Sequence, residues 1–312
     1  MAKTPKKRGK LTRSCASMQA HMGLLDRYPQ FRNNQSRLHQ LTNTYILSGA
    51  ARRAARAAPK RIQVVVHVVF NTDNENISDD QIMSQMDVLN ADFSIKNGDL
   101  SNIPEPFKDL LGNPNLKFSL ADTDPMGNPT HGITRQQTTR NSFSHDQDPV
   151  KFSASGGTDA WDTQRYLNIW VCSLDDGLLG YAQFPGGPED TDGVVILNSA
   201  FGTQGMAQAP FDKGRTTTHE VGHYLNLSHI WGNSLVANCS DSDFVDDTPN
   251  QFGPNFGTPQ FPAVSCENQP EGDMFMNYMD YVNDEAMVMF THGQVARMQA
   301  ALEEARKDLW RI

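Results

Sequence analysis

Three of the chain's nine histidines fall within the run Thr217-Thr218-His219-Glu220-Val221-Gly222-His223-Tyr224-Leu225-Asn226-Leu227-Ser228-His229. Residues four apart on a helix leave the same face about one turn apart. His219 and His223 therefore aim two imidazoles at a common point, and neutral imidazole nitrogens are ligands for Zn²⁺. Glu220 lies beside them, a carboxylate placed to take a proton from a water at the metal. A hydrolytic zinc site uses three protein ligands and leaves one position open. His229 supplies the third if the helix stops soon after His223 and the chain swings back. The chemistry implied is metal-assisted hydrolysis of a peptide bond.

That return depends on Asn226. The three-histidine pattern of such sites reads H-E-x-x-H-x-x-G-x-x-H, and its glycine ends the helix in the left-handed region. Asn is the side chain least penalised there, because its short amide bonds locally. The spacing thus predicts Asn226 at positive φ. A helix running straight on would turn His229 away, and an acid such as Glu267 would then have to be the third ligand.

The elements that must hold this stretch can be read in order. Residues 62–70 are almost all β-branched or aromatic, as in a strand buried on both faces. Residues 78–93 open on aspartates and place Ile82, Met86, Leu89 and Phe93 at helical spacing. Further strands are predicted over 115–122, 166–174 and 193–199, with an edge strand ending at Pro185-Gly186-Gly187. The zinc motif falls on a helix over 213–227. This is an α+β pattern: a twisted, mixed, five-stranded sheet and an active-site helix in an upper half, 62–229. The lower half, 230–312, is irregular until an amphipathic helix over 291–309.

The long turn-rich stretch 231–269 needs a staple or a function. Cys239 and Cys266 flank it and read as one disulfide, which suits an oxidising compartment. Its acidic run, Asp241, Asp243, Asp246 and Asp247 with Thr248, is either a Ca²⁺ site or a solvated loop. Of the two other cysteines, Cys172 lies in an apolar strand and reads as a buried free thiol.

Charge divides the 312-residue chain in two. Residues 1–61 carry fourteen Lys and Arg against Asp26 alone, a net of +13, and the remainder carries −22. The two parts should attract. Residues 49–61, small and basic, have the composition of a protease-sensitive linker. A basic arm also suits nucleic acid, but no nucleic-acid-binding motif accompanies it. No apolar run is long enough to cross a bilayer, and no hydrophobic region follows the basic start, so neither membrane anchoring nor a secretory signal is expected from these residues.

Taken together, His219-Glu220-Val221-Gly222-His223 with His229, Asp246-Asp247-Thr248-Pro249, and Met276-Asn277-Tyr278-Met279-Asp280-Tyr281 resemble the pappalysin family of metzincins, most closely its small microbial members of the ulilysin and mirolysin type. The resemblance spans nearly the whole chain. It implies a metzincin-type zincin fold and a secreted, Ca²⁺-containing zinc endopeptidase made as a zymogen, acting as a monomer on proteins or peptides. Residues 1–61 would be the pro-segment and 62–312 the catalytic domain. Met279 would be the turn methionine beneath the imidazoles, and Tyr281 would help hold the reaction intermediate. Glu285 falls where ulilysin-like enzymes place the acid at the base of the S1′ pocket, which selects arginine after the scissile bond. Ala286 replaces a cysteine of their second disulfide. Thr12-Arg13-Ser14-Cys15-Ala16-Ser17-Met18 resembles the family's cysteine-containing pro-segment motif, so Cys15 would occupy the open zinc position of the latent enzyme. The arginines at 52, 53, 56 and 61 then offer sites for autolytic removal of the segment. The alternatives are a zincin of another branch with an acidic third ligand, and a zinc-containing binding module with a basic arm.

Overall fold

A computed structural model describes residues 12–49 and 58–311. Arg52, Arg53 and Arg56 lie outside these residues. Strand β1 (Lys60–Phe70) is the spine of the sheet. On one side it pairs in parallel with β2 (Leu116–Leu120) over Lys60–Val64 and then with β3 (Ile133–Gln137) over Val66–Phe70. On the other side lie β4 (Tyr166–Cys172), β6 (Val194–Leu197) and, antiparallel at the edge, β5 (Gly180–Ala182). Six strands thus fill five positions of a mixed sheet, because β2 and β3 share one edge. β3 (Ile-Thr-Arg-Gln-Gln) has almost no apolar signal, as suits a mostly exposed edge strand, and sequence reading missed it. β1 begins at Lys60, so the boundary expected at 61/62 falls inside a strand.

Alternation places β1 side chains on both faces of the sheet. Val64, Val66 and Val68 pack with Ile82, Met86 and Leu89 of helix α3 (Asp79–Asp92) in the main core. Val69 joins Trp170, Cys172, Tyr181 and Val195 on the opposite face. Ser78 starts α3 by accepting from the Gln81 amide at 3.2 Å, satisfying one free donor of the first turn. Cys172 is buried and free, as its strand context implied.

Two helices precede the sheet. α1 (Ser17–Arg27) and α2 (Pro29–Leu47) pack on each other, α1 against β5 and α2 against the C-terminal helix α5 (His292–Glu304). The segment before β1 is therefore docked onto the rest, although its sequence lacks the periodicity of a packed domain. Its apolar side chains dock in two places: Met18, Leu24 and Phe31 cluster with Phe184, and Ala16 and Ala20 join the core face of Trp170 and Tyr181.

The lower half carries little regular structure. Cys239 and Cys266 form a disulfide with Cα atoms 5.3 Å apart. The turn-rich chain is tied inward by Asp280, fully buried, whose carboxylate accepts from Asn255 N at 2.8 Å, Tyr281 N at 2.7 Å and the Gln251 amide at 3.0 Å. Short strand β7 (Phe256–Gly257) pairs with β8 (Tyr281–Val282) just beyond it.

Candidate active site

The active-site helix α4 runs Arg215–Tyr224, shorter at both ends than expected, and packs beneath β5 and β6. It ends in a Schellman motif. Asn226 sits at φ 73°, the Leu227 amide donates to Gly222 O at 3.0 Å, and the Asn226 amide donates to His223 O at 2.9 Å. The predicted left-handed Asn226 is thus present, and the chain reverses so that His229 meets the helix.

The three imidazoles converge. His223 Nε2 lies 3.2 Å from His219 Nε2 and 3.1 Å from His229 Nε2. Two rings are oriented from behind, with Nδ1 of His219 2.7 Å from Tyr278 O and Nδ1 of His223 2.7 Å from Leu227 O. A carbonyl can only accept, so each Nδ1 carries a proton and each Nε2 turns a lone pair inward. Burial lowers the pKa of all three, that of His223 to about 4, so they stand neutral. Facing lone pairs at this separation suit a cation between them, and tetrahedral Zn–N bonds of about 2.0–2.1 Å bring nitrogens to a similar spacing. The donor set fits zinc. Trp231 stacks on His229 with centroids 4.4 Å apart, a support that sequence reading missed.

Met279 is fully buried beneath this helix. A Cβ added at Gly222 would come within 2.5 Å of its Sδ, which explains glycine inside the motif. Glu267, the alternative acidic ligand, is exposed at φ 58° and outside the cluster.

Cys15 completes the group. Its Sγ and one ligand nitrogen from each histidine lie within 4.8 Å of one another, and all four residues are buried. The chain around it runs parallel to edge strand β5, with Ala16 N donating to Gly180 O at 3.1 Å and Leu179 N to Ser14 O at 2.9 Å. Glu220 is buried and its pKa rises to about 7, burial outweighing hydrogen bonds from Ser17 and Cys15. The Tyr281 hydroxyl donates to Cys15 O at 3.2 Å, and its ring stands edge-on to His229 at 5.0 Å.

Beside the metal site a buried pocket holds Arg13. Nε donates to Val282 O at 3.1 Å, Nη1 to Thr216 Oγ1 at 3.0 Å, and Nη2 to Asp284 Oδ1 at 2.5 Å, under the ring of Phe211. This corrects the expectation for Glu285. Asp284 and Glu285 share one 3₁₀ turn, whose successive side chains point different ways, so Glu285 is exposed and Asp284 is the buried acid. Asp284 Oδ2 also accepts the main-chain amides of Lys213 at 2.8 Å and Arg215 at 3.2 Å, at the start of α4.

In the acidic loop Thr248 Oγ1 donates to Asp243 at 2.9 Å and Asp247 Oδ2 accepts from Gly293 N at 2.8 Å. Burial raises Asp243 to about 7.

A mixed sheet over a helix bearing two histidines and a glutamate, with a third histidine returned by the turn after it and a methionine turn closing the site below, defines a zinc metallopeptidase of the metzincin type. Comparison with known proteins gives the family. Residues 154–303 match the profile described as pregnancy-associated plasma protein-A, peptidase family M43. An extracellular metalloprotease of Arthroderma gypseum is 32% identical over 245 residues, covering 76% of this chain and 71% of the relative. Mature mirolysin of Tannerella forsythia in complex with a cleaved peptide is 52% identical with a TM-score of 0.79, covering 82% of this chain and 97% of that one. A promirolysin mutant of the same organism is 46% identical with a TM-score of 0.86, covering 96% of this chain and 97% of that one. The chain belongs to the pappalysin family of metalloproteases.

Proposed function

We propose that this chain is the latent form of a secreted zinc endopeptidase that cuts before arginine and is held inactive by its own N-terminal segment. The observation that carries this reading is the seating of Arg13 on Asp284 while Cys15, two residues on, meets the three histidines. Zinc bound by His219, His223 and His229 would polarise a scissile carbonyl and acidify a water. Glu220 accepts that water's proton and returns it to the leaving amine. Tyr281 donates to the oxygen on which charge develops. The Asp284 pocket holds the side chain following the cut, and its fork of acceptors matches a guanidinium.

Latency follows from direction. A substrate runs from the metal into this pocket toward its C-terminus, whereas Cys15 to Arg13 runs toward the N-terminus. The segment is therefore threaded backwards and offers no peptide bond in the right sense. Its removal falls to the linker, where cleavage before Arg52, Arg53 or Arg56 would free it. The mature mirolysin structure covers 82% of this chain and the promirolysin structure 96%, which supports a separable N-terminal part. The named extracellular relatives support secretion. Calcium in the acidic loop is supported by buried Asp243 and by a buried Asp247 Oδ1 without a partner.

The test is a quenched peptide library cut by the processed enzyme, with the residue after each cut identified. Arginine should dominate that position and phenanthroline should abolish cleavage. No basic preference would overturn the role of Asp284. Incubating Glu220→Ala beside wild type tests autolysis, since identical processing of both would exclude it.

A further inference from the structure

Residue Ser17 is wholly buried and stands at the general base, not at the metal. Its hydroxyl donates to Glu220 Oε2 at 2.8 Å and accepts the Ala182 main-chain amide of edge strand β5 at 2.8 Å. Cys15 Sγ lies 3.1 Å from Ser17 Oγ and accepts the Ser17 amide at 3.3 Å. One hydroxyl thus engages the carboxylate that must receive a proton and a strand amide that faces the cleft. A hydroxyl has one proton to give and two lone pairs; here the proton goes to the carboxylate and a lone pair takes the amide.

We propose that Glu220 Oε2 and the Ala182 amide form a subsite for a ligand hydroxyl, and that Ser17 fills it as a second latch, independent of the thiol on the metal. The ligand class is a peptide bearing a metal-binding thiol and, two residues further along where the chain turns into a helix, a small hydroxyl. The inference rests on the zymogen reading above, but it makes a separate claim. Loss of Cys15 frees the metal while leaving the base hydrogen-bonded and the edge strand occupied. Loss of Ser17 leaves two buried polar groups without their partner, a cost borne by the closed form alone.

The test uses full-length chains confirmed as unprocessed by intact mass, with the initial rate on a quenched arginine peptide taken relative to processed enzyme. Ser17→Ala should raise the residual activity of the intact zymogen about tenfold, the worth of one charge-assisted hydrogen bond. Ser17→Thr, which keeps the hydroxyl, should restore latency. Cys15→Ala should stay well below the processed rate, and Cys15→Ala/Ser17→Ala should approach it. The latch is overturned if Ser17→Ala is silent, if Ser17→Thr leaks as much as Ser17→Ala, or if Cys15→Ala alone reaches the processed rate. A silent Cys15→Ala beside a leaking Ser17→Ala would instead overturn the thiol switch and leave the latch standing.

Discussion

Arg13 and Asp284, 271 residues apart in sequence, form an ion pair at 2.5 Å with both side chains withdrawn from water. Breaking a buried pair leaves one charge unpaired, at a cost well above that of a surface pair. Asp284→Asn in the processed enzyme should therefore lower kcat/KM for arginine peptides about a hundredfold, with much less effect on peptides bearing leucine after the cut. Glu285→Gln should change neither. Steady-state kinetics on the paired peptides decides between the two acids.

Asn226 tests the turn. Asn226→Gly should be neutral, whereas Asn226→Ala must hold a Cβ at φ 73° and should lose about 1–2 kcal/mol. His229 follows that turn directly, so the alanine variant should also bind zinc more weakly. Thermal melts and chelator competition measure the two effects.

Gly222→Ala drives a methyl against Met279 Sδ, 2.5 Å from the new Cβ, in a fully buried contact. Overpacking of this kind costs about 1–3 kcal/mol. The melting temperature should fall, and Met279→Ala in the same chain should recover part of the loss by making room.

His21 gives the pH dependence. Burial lowers its pKa from 6.5 to about 4, its Nδ1 has no partner, and it packs on the rings of Phe31 and Phe184. His39 and Arg297 line the same small cavity. A docked segment holds His21 neutral, and a released one binds a proton below about pH 6.5. Docking should weaken as pH falls from 6.5 toward 4, by roughly thirtyfold at pH 5. Zymogen activity across that range should rise in wild type and flatten in His21→Gln.

How legible was this in the sequence? The long buried strand, the α3 helix, the Asn226 turn and the Cys239–Cys266 bridge were all readable, because each depends on local periodicity or on one residue's conformational preference. What escaped depends on distant partners. β3 is a strand only because β1 has a free edge opposite Gln136 and its neighbours. Arg13 was readable as a neighbour of Cys15 in the pro-segment motif but not as a buried ion-pair partner, since its acceptors, Thr216, Val282 and Asp284, come from two other parts of the chain. That Asp284 and not Glu285 is the buried acid was equally hidden, since no periodicity sets side-chain directions within that turn.

Asp284 also has a second occupation, accepting the Lys213 and Arg215 amides where the catalytic helix begins. One carboxylate holds the Arg13 guanidinium and anchors the scaffold bearing His219, Glu220 and His223. A replacement without an acceptor oxygen would leave the Lys213 and Arg215 amides unpaired at the origin of the catalytic helix, whereas asparagine keeps one acceptor for them.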